Sequence, residues 1–167
     1  MESTKTALNP DPGRQLLRHT LATVAYRGGK TLRGAPESFA HFKVSDKSRT
    51  PAQILAHIGD LYDWALALCK GKHEWHNSTP LPWAKEVERF FAALQKFEGY
   101  LASDQPLGFP VEKLFQGPVA DSLTHVGQLA MLRTLAGCKM RGENYFKADI
   151  VAGRVGSEQS APKVEFD

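Results

Sequence analysis

The sequence predicts an all-α protein built as a four-helix bundle, and three observations carry that prediction. Apolar residues recur at steps of three and four in four separate stretches. Each stretch opens or closes on residue types that start or stop helices, and no stretch alternates as a half-buried strand would.

Residues 1–9 read as a loose leader, residues 10–152 as one bundle domain, and residues 153–167 as an irregular tail. In Asn9-Pro10-Asp11-Pro12 an acidic N-cap precedes a proline at the first helical position, where its missing N–H costs nothing. Leu17, Leu21 and Val24 then keep helical spacing, and Gly28-Gly29 is expected to end the first helix. A long ordered loop is expected over 28–49. The second helix has the clearest start: Thr50-Pro51-Ala52-Gln53 combines a hydroxyl cap, a first-turn proline and a glutamine placed for a capping box. Its stripe is Ile54, Ile58, Leu61, Ala65 and Leu68, and Gly71 ends it.

The third helix is expected from Leu81-Pro82. Its seam is Trp83, Val87, Phe90, Leu94, Phe97 and Leu101, with Lys85, Glu86, Glu88 and Lys96 off the stripe. After a turn rich in Pro and Gly at 103–110 and a short turn over 111–115, the fourth helix opens at Gly117-Pro118 and runs to Gly137. Apolar residues occur nearly all round it, so it is expected to be the most buried of the four. No repeat or low-complexity tract is present.

Bulk properties narrow the function classes. The chain has 167 residues, 42% hydrophobic and 23% charged, with 21 basic residues interleaved among 18 acidic ones for a net charge of +3. A dedicated nucleic-acid binder would gather its basic residues, so no nucleic-acid partner is expected. Two cysteines, Cys69 and Cys138, are too few for a disulfide framework. The N-terminus lacks the apolar core of a signal peptide, and no apolar run approaches the ~20 residues that span a bilayer. A soluble, cytoplasmic protein without a membrane partner is the expectation.

Three polar residues stand where such a bundle should be apolar. His57 lies on or beside the second stripe, and Asp121 and His125 are four apart on one face of the fourth helix. A carboxylate buried there costs several kcal/mol unless something positive compensates it. Arg133, two turns beyond His125, is the nearest basic helix residue. An i, i+4 pair facing a third ligand from another helix suits a divalent ion, and two imidazoles with one carboxylate leave open positions on it. Plainer accounts stay open: a hydrogen-bonded core histidine, or an acid favoured near a helix start.

Other signals carry less. His73-Glu74-Trp75-His76 is one residue short of the zinc-protease spacing, and it lies about 24 Å from His57 if the helix simply continues. Gly28-Gly29-Lys30-Thr31 lacks the first glycine of a phosphate loop, since Val24 stands there. His19 and His41 are isolated. In the segment Arg141–Ile150, Tyr145, Phe146 and Ile150 can seal apolar surface, or Asn144 and Tyr145 can border a pocket at the triad.

The stretch Thr50-Pro51-Ala52-Gln53-Ile54-Leu55-Ala56-His57-Ile58, with Asp121-Ser122-Leu123-Thr124-His125-Val126-Gly127-Gln128-Leu129 some sixty residues later, resembles the DinB/YfiT-like metalloprotein superfamily. Its members carry one His on helix two and a His-x-x-x-His pair on helix four, the last followed by one residue, Gly and Gln. His57 matches the first ligand and His125-Val126-Gly127-Gln128 the last, whereas Asp121 stands where the family has His. The resemblance covers roughly 10–137. It implies an up-down-down-up bundle, a homodimer, and a divalent metal such as zinc, nickel or iron on His57, Asp121 and His125. It also implies a metal-dependent transferase or hydrolase acting on a small molecule, with a low-molecular-weight thiol as one partner. The competing expectation is a non-catalytic, stress-related or binding bundle with a vestigial site.

Overall fold

The computed structural model describes residues 11–167, so the leader at 1–9 lies outside the described residues. The chain is mostly helical: α1 (Pro12–Leu32), α2 (Pro51–Cys69), α3 (Trp83–Ala102), α4 (Val111–Leu114) and α5 (Ala120–Leu135). A five-residue π-turn, Phe115–Val119, joins α4 to α5, so that stretch is one continuous helical run rather than a turn followed by a helix. Among the described residues the single sheet is a two-residue antiparallel pairing of β1 (Gly142–Glu143) with β2 (Glu165–Phe166).

The caps form as their chemistry requires. The Asp11 carboxylate accepts the N–H groups of Gly13 and Arg14 ahead of Pro12. Thr50 and Gln53 close a reciprocal capping box on α2. Two C-termini are closed by arginines from other helices, which satisfy carbonyls that a helix end leaves unpaired. Arg14 donates to the carbonyls of Tyr100, Leu101, Ser103 and Gln105 beyond α3. Arg133 donates to those of Thr31 and Arg33 at the end of α1, and to Cys138.

Gly28-Gly29 does not stop α1, which continues to Leu32. The pair serves packing instead. A Cβ on Gly28 would sit 2.7 Å from Phe90 Cζ, and one on Gly29 would sit 3.4 Å from Phe91 Cζ. The missing side chains let α1 settle against α3.

Helix α2 is the central element, packed against both α3 and α5, as α1 is on the other side. Thirteen of its 19 residues are buried against six of 16 on α5, so α2 rather than the fourth helix is the most buried. Met131 and Leu135 of α5 face solvent. The core joins Leu21, Val24, Leu55, Ile58, Tyr62, Phe90, Leu94, Phe97, Leu114 and Leu129 in one cluster.

Glu86, which sequence spacing places off the α3 stripe, is fully buried. It accepts the Leu81 N–H at 2.8 Å and pairs with Arg89 at 3.2 Å. Arg89 also reaches Asp60 at 2.6 Å and Asp63 at 3.0 Å. Burial pushes the Asp60 carboxyl upward, but the Ser78 hydroxyl and N–H together with Arg89 outweigh it and hold Asp60 below its ordinary value.

The segment after α5 returns along the bundle. Val155 enters the core, while Phe146 is 97% exposed and seals nothing. Lys30 of α1 is pinned between Glu143 and Glu165 at 2.8 and 2.7 Å. No helix among the described residues is long and apolar enough to cross a membrane.

Three stability outcomes follow. Gly28→Ala forces Phe90 aside and lowers unfolding free energy by about 1–3 kcal/mol, whereas Gly99→Ala, in the last turn of α3 with open space around it, raises it by up to about 1 kcal/mol. Arg89→Ala leaves Glu86 buried without its cation and costs about 3 kcal/mol. Urea unfolding of the three variants beside the wild type checks these signs.

Candidate metal centre

His57 projects from the second turn of α2, and Asp121 and His125 stand one turn apart at the start of α5. The two helices pack directly, so the three side chains meet. One ligand atom from each lies within 4.8 Å of the others, and no other group of this kind occurs among the described residues. The His57 and His125 rings stand edge to face with centroids 4.7 Å apart. His57 Nε2 is 3.4 Å from Asp121 Oδ2, and His125 Nε2 is 3.5 Å from Asp121 Oδ1.

Those separations are long for hydrogen bonds between nitrogen and oxygen, which cluster near ~2.9 Å. Each is near the ~3.3–3.6 Å that separates neighbouring ligands held 2.0–2.2 Å from a tetrahedral ion, with the two contacts made to different Asp121 oxygens and the ligand atoms together spanning up to 4.8 Å. A second contact points the same way. His125 Nδ1 lies 2.7 Å from Gln128 Oε1. An amide oxygen only accepts, so Nδ1 carries the proton, and in the neutral ring Nε2 then turns a lone pair towards a carboxylate oxygen. Two lone pairs facing each other are tolerated best with a cation between them. Gln128 thus supplies the orienting hydrogen bond usual for metal-ligating histidines. The donor set fits a divalent ion.

The electrostatics differ from the sequence expectation in one respect. Asp121 is not embedded: its side chain is 45% exposed, against 19% for His57 and 11% for His125. No burial cost has to be offset at Asp121, and convergence alone carries the site. Nor is Asp121 an acid at a free helix end, because the helical run begins ten residues earlier at Val111. The π-turn just before it contains Pro118, which has no N–H to donate, and such turns are frequent beside functional sites. Burial holds the His57 imidazole below its ordinary value, and this outweighs the opposing hydrogen bond from Asp121, with the charges of His125 and Arg49 adding to it. At neutral pH His57 is therefore uncharged, as ligation requires.

The surroundings are partly those the sequence singles out and partly not. Arg133 is buried and committed to the carbonyls that end α1. Tyr145 packs edge-on to Tyr26, 6.2 Å between centroids, with Arg27 over its ring at 4.4 Å. Asn144 adjoins the small sheet, where its N–H donates to Val164. None of the three lines the clefts that open at the triad.

Trp75 does meet the site. Gly71 adopts φ +74°, a conformation open to glycine, and the chain turns back along α2 instead of continuing its axis. Ser78 then bonds Asp60, and Trp75 packs against His57 at 5.5 Å and Trp64 at 5.7 Å. His73 stacks on Trp64 at 5.4 Å and remains outside the triad, as does His76. The sequence distance of about 24 Å assumed a straight helix. The glycine was the signal that it ends.

Gln128→Leu is expected to weaken affinity for the ion by about 10- to 100-fold without unfolding the chain, read by competition with a chromogenic chelator. Acidification should also release the ion. His57 stays neutral at pH 7 and protonates only below its ordinary 6.5. Metal content should therefore hold at pH 7 and fall as pH drops through about 6. The same depressed value makes His57 destabilising in acid, since the unfolded chain takes up its proton first. Dialysis across the range followed by elemental analysis tests the release.

Compared with models of known families, with curated proteins and with solved structures, the chain matches none at a significant level, so the geometry of the three side chains carries the functional reading by itself.

Proposed function

We propose that this protein is a metal-dependent enzyme of the DinB/YfiT-like kind, a transferase or hydrolase of small molecules. The observation that carries the reading is the convergence of His57, Asp121 and His125, whose ligand atoms lie within 4.8 Å of one another at separations long for hydrogen bonds. In this reading His57 Nε2, His125 Nε2 and an Asp121 oxygen hold zinc, nickel or iron. A divalent ion there supplies Lewis acidity, which lowers the pKa of a water or a thiol that reaches it.

The chain's own residues do the rest. Gln128 fixes the His125 ring, and Trp75 covers one edge of His57. Asp121, open to solvent, completes the ligand set or takes up the proton released as water or thiol ionises. Clefts reach the triad from the sides of His57, Asp121 and His125, which a closed, purely structural core would not need. A low-molecular-weight thiol is the proposed partner. The helix neighbours, α1 and α2 each between α3 and α5, support a four-helix bundle in up-down-down-up order. A homodimer would cover exposed Leu16 and Phe115. The proposed compartment is the cytoplasm.

Elemental analysis of purified wild type, His57→Ala and Asp121→Asn tests the reading, with unfolding curves confirming that each variant is folded. The wild type should retain about one equivalent of a divalent metal, as a single three-ligand site requires, and His57→Ala should lose most of it. Equal content in wild type and His57→Ala removes the proposed centre. In cobalt-loaded protein, 2-mercaptoethanol should produce a thiolate charge-transfer band; an unchanged spectrum rejects the thiol.

A further inference from the structure

Arg49 stands immediately before the Thr50 cap of α2 and is exposed. Among the described residues it is absent from every side-chain hydrogen bond and ion pair, in contrast to Arg14, Arg89 and Arg133, each of which donates to several acceptors. It lines two clefts at once. One, of about 220 Å³, runs past His57, Gln53 and Asn77. The other, of about 700 Å³, runs past His125, Gln128 and Thr124 over an apolar floor of Ile54, Met131 and Leu132.

An unpaired guanidinium between two clefts at a candidate metal centre has a recognisable use. The planar fork suits an oxyanion, and one guanidinium balances one negative charge. The floor of the larger cleft rewards an apolar body, and its volume lies within the range of small-molecule sites. The nearby hydroxyls of Ser48 and Thr124 already donate to the carbonyls of Ser45 and Ala120 and bring no further positive charge. A doubly charged group would be left half compensated.

Building on the metal-centre reading above, we propose that Arg49 anchors the carboxylate of an amphipathic small-molecule substrate whose apolar body lies along Ile54, Met131 and Leu132 and whose far end reaches the His57–Asp121–His125 group. Arg49 is then the specificity residue of the site. Substrates lacking the anion are bound poorly, and the position of the carboxylate sets which part of the molecule meets the reacting group.

The test uses hexanoate, hexanamide and hexyl phosphate as probes, titrated by calorimetry into zinc-loaded and metal-free full-length protein, wild type and Arg49→Gln. Because Arg49 holds nothing else in place, the variant is expected to fold, and unchanged unfolding curves verify this. Wild type should bind hexanoate about tenfold more tightly than hexanamide, the worth of a charge-assisted contact, in both metal states. Arg49→Gln should bind the two alike, with its metal content unaltered.

Equal binding of acid and amide by wild type, or a preference that survives in Arg49→Gln, overturns the proposal; so does a failure of hexanoate to bind. A preference present only with zinc means that the carboxylate meets the ion rather than Arg49, and overturns it as well. Tighter binding of hexyl phosphate than of hexanoate rejects the carboxylate assignment. Loss of the metal centre itself would show in elemental analysis of His57→Ala and leaves the acid-to-amide ratio of metal-free protein as a separate readout.

Discussion

Helix α2 is enclosed on most of its circumference, and the rest of the architecture answers to that constraint. A helix so placed can keep polar side chains only where neighbours complete them. Asp60 and His57 lie one turn apart on α2, and each is completed from a different side. Asp60 is met by Arg89 of α3 and by Ser78 of the returning chain. His57 is met by Asp121 of α5 and by the Trp75 ring. The first arrangement gathers Asp60, Asp63 and Glu86 around the Arg89 guanidinium, with Ser78 completing Asp60. The second is open, with a half-exposed carboxylate between two imidazoles at 3.4 and 3.5 Å. The two polar clusters on one helix thus differ in how fully their partners complete them.

Within the triad the three side chains are held unequally. His125 is the most enclosed and has a dedicated acceptor in Gln128. His57 is confined by an aromatic edge, and Asp121 has no partner other than the two rings. Preorganisation therefore rests with the histidines, and adaptability with the carboxylate. In place of a third imidazole, Asp121 offers a group that is anionic, shorter and able to rotate two oxygens, so an ion held there would carry one positive charge less than with three neutral rings.

Much of this was legible in residue order, and the parts that were not share a cause. The Thr50–Gln53 box and the Asp11 cap are local chemistry, so they formed where the spacing placed them. The three converging side chains were legible because i, i+4 pairing on one helix and a polar break in an apolar stripe are both properties of a single helix. Gly28-Gly29 misled because a glycine pair that ends a helix cannot be told by sequence from one that admits Phe90 and Phe91. Glu86 misled because its burial is granted by Arg89, a partner visible only in three dimensions. The exposure of Asp121 depends on how far α5 overlaps α2. Trp75 reached the site through a chain reversal, and Arg49 through a loop, so neither had a periodic signature.

The π-turn at Phe115–Val119 sets the phase of everything after it. A wider turn holds one residue more than an α-turn over the same rise, so the side chains beyond it are rotated about the axis by roughly 100° relative to an unbroken α-helix. Leu114 before the turn and Leu129 after it are both in the core, and Asp121 and His125 beyond it meet His57 of α2. Shortening the stretch by one position would keep the hydrophobic content and helix length almost intact while swinging the ligand face away from His57. Here the identity of the site resides in a chain-length register, which comparing residue types position by position would overlook.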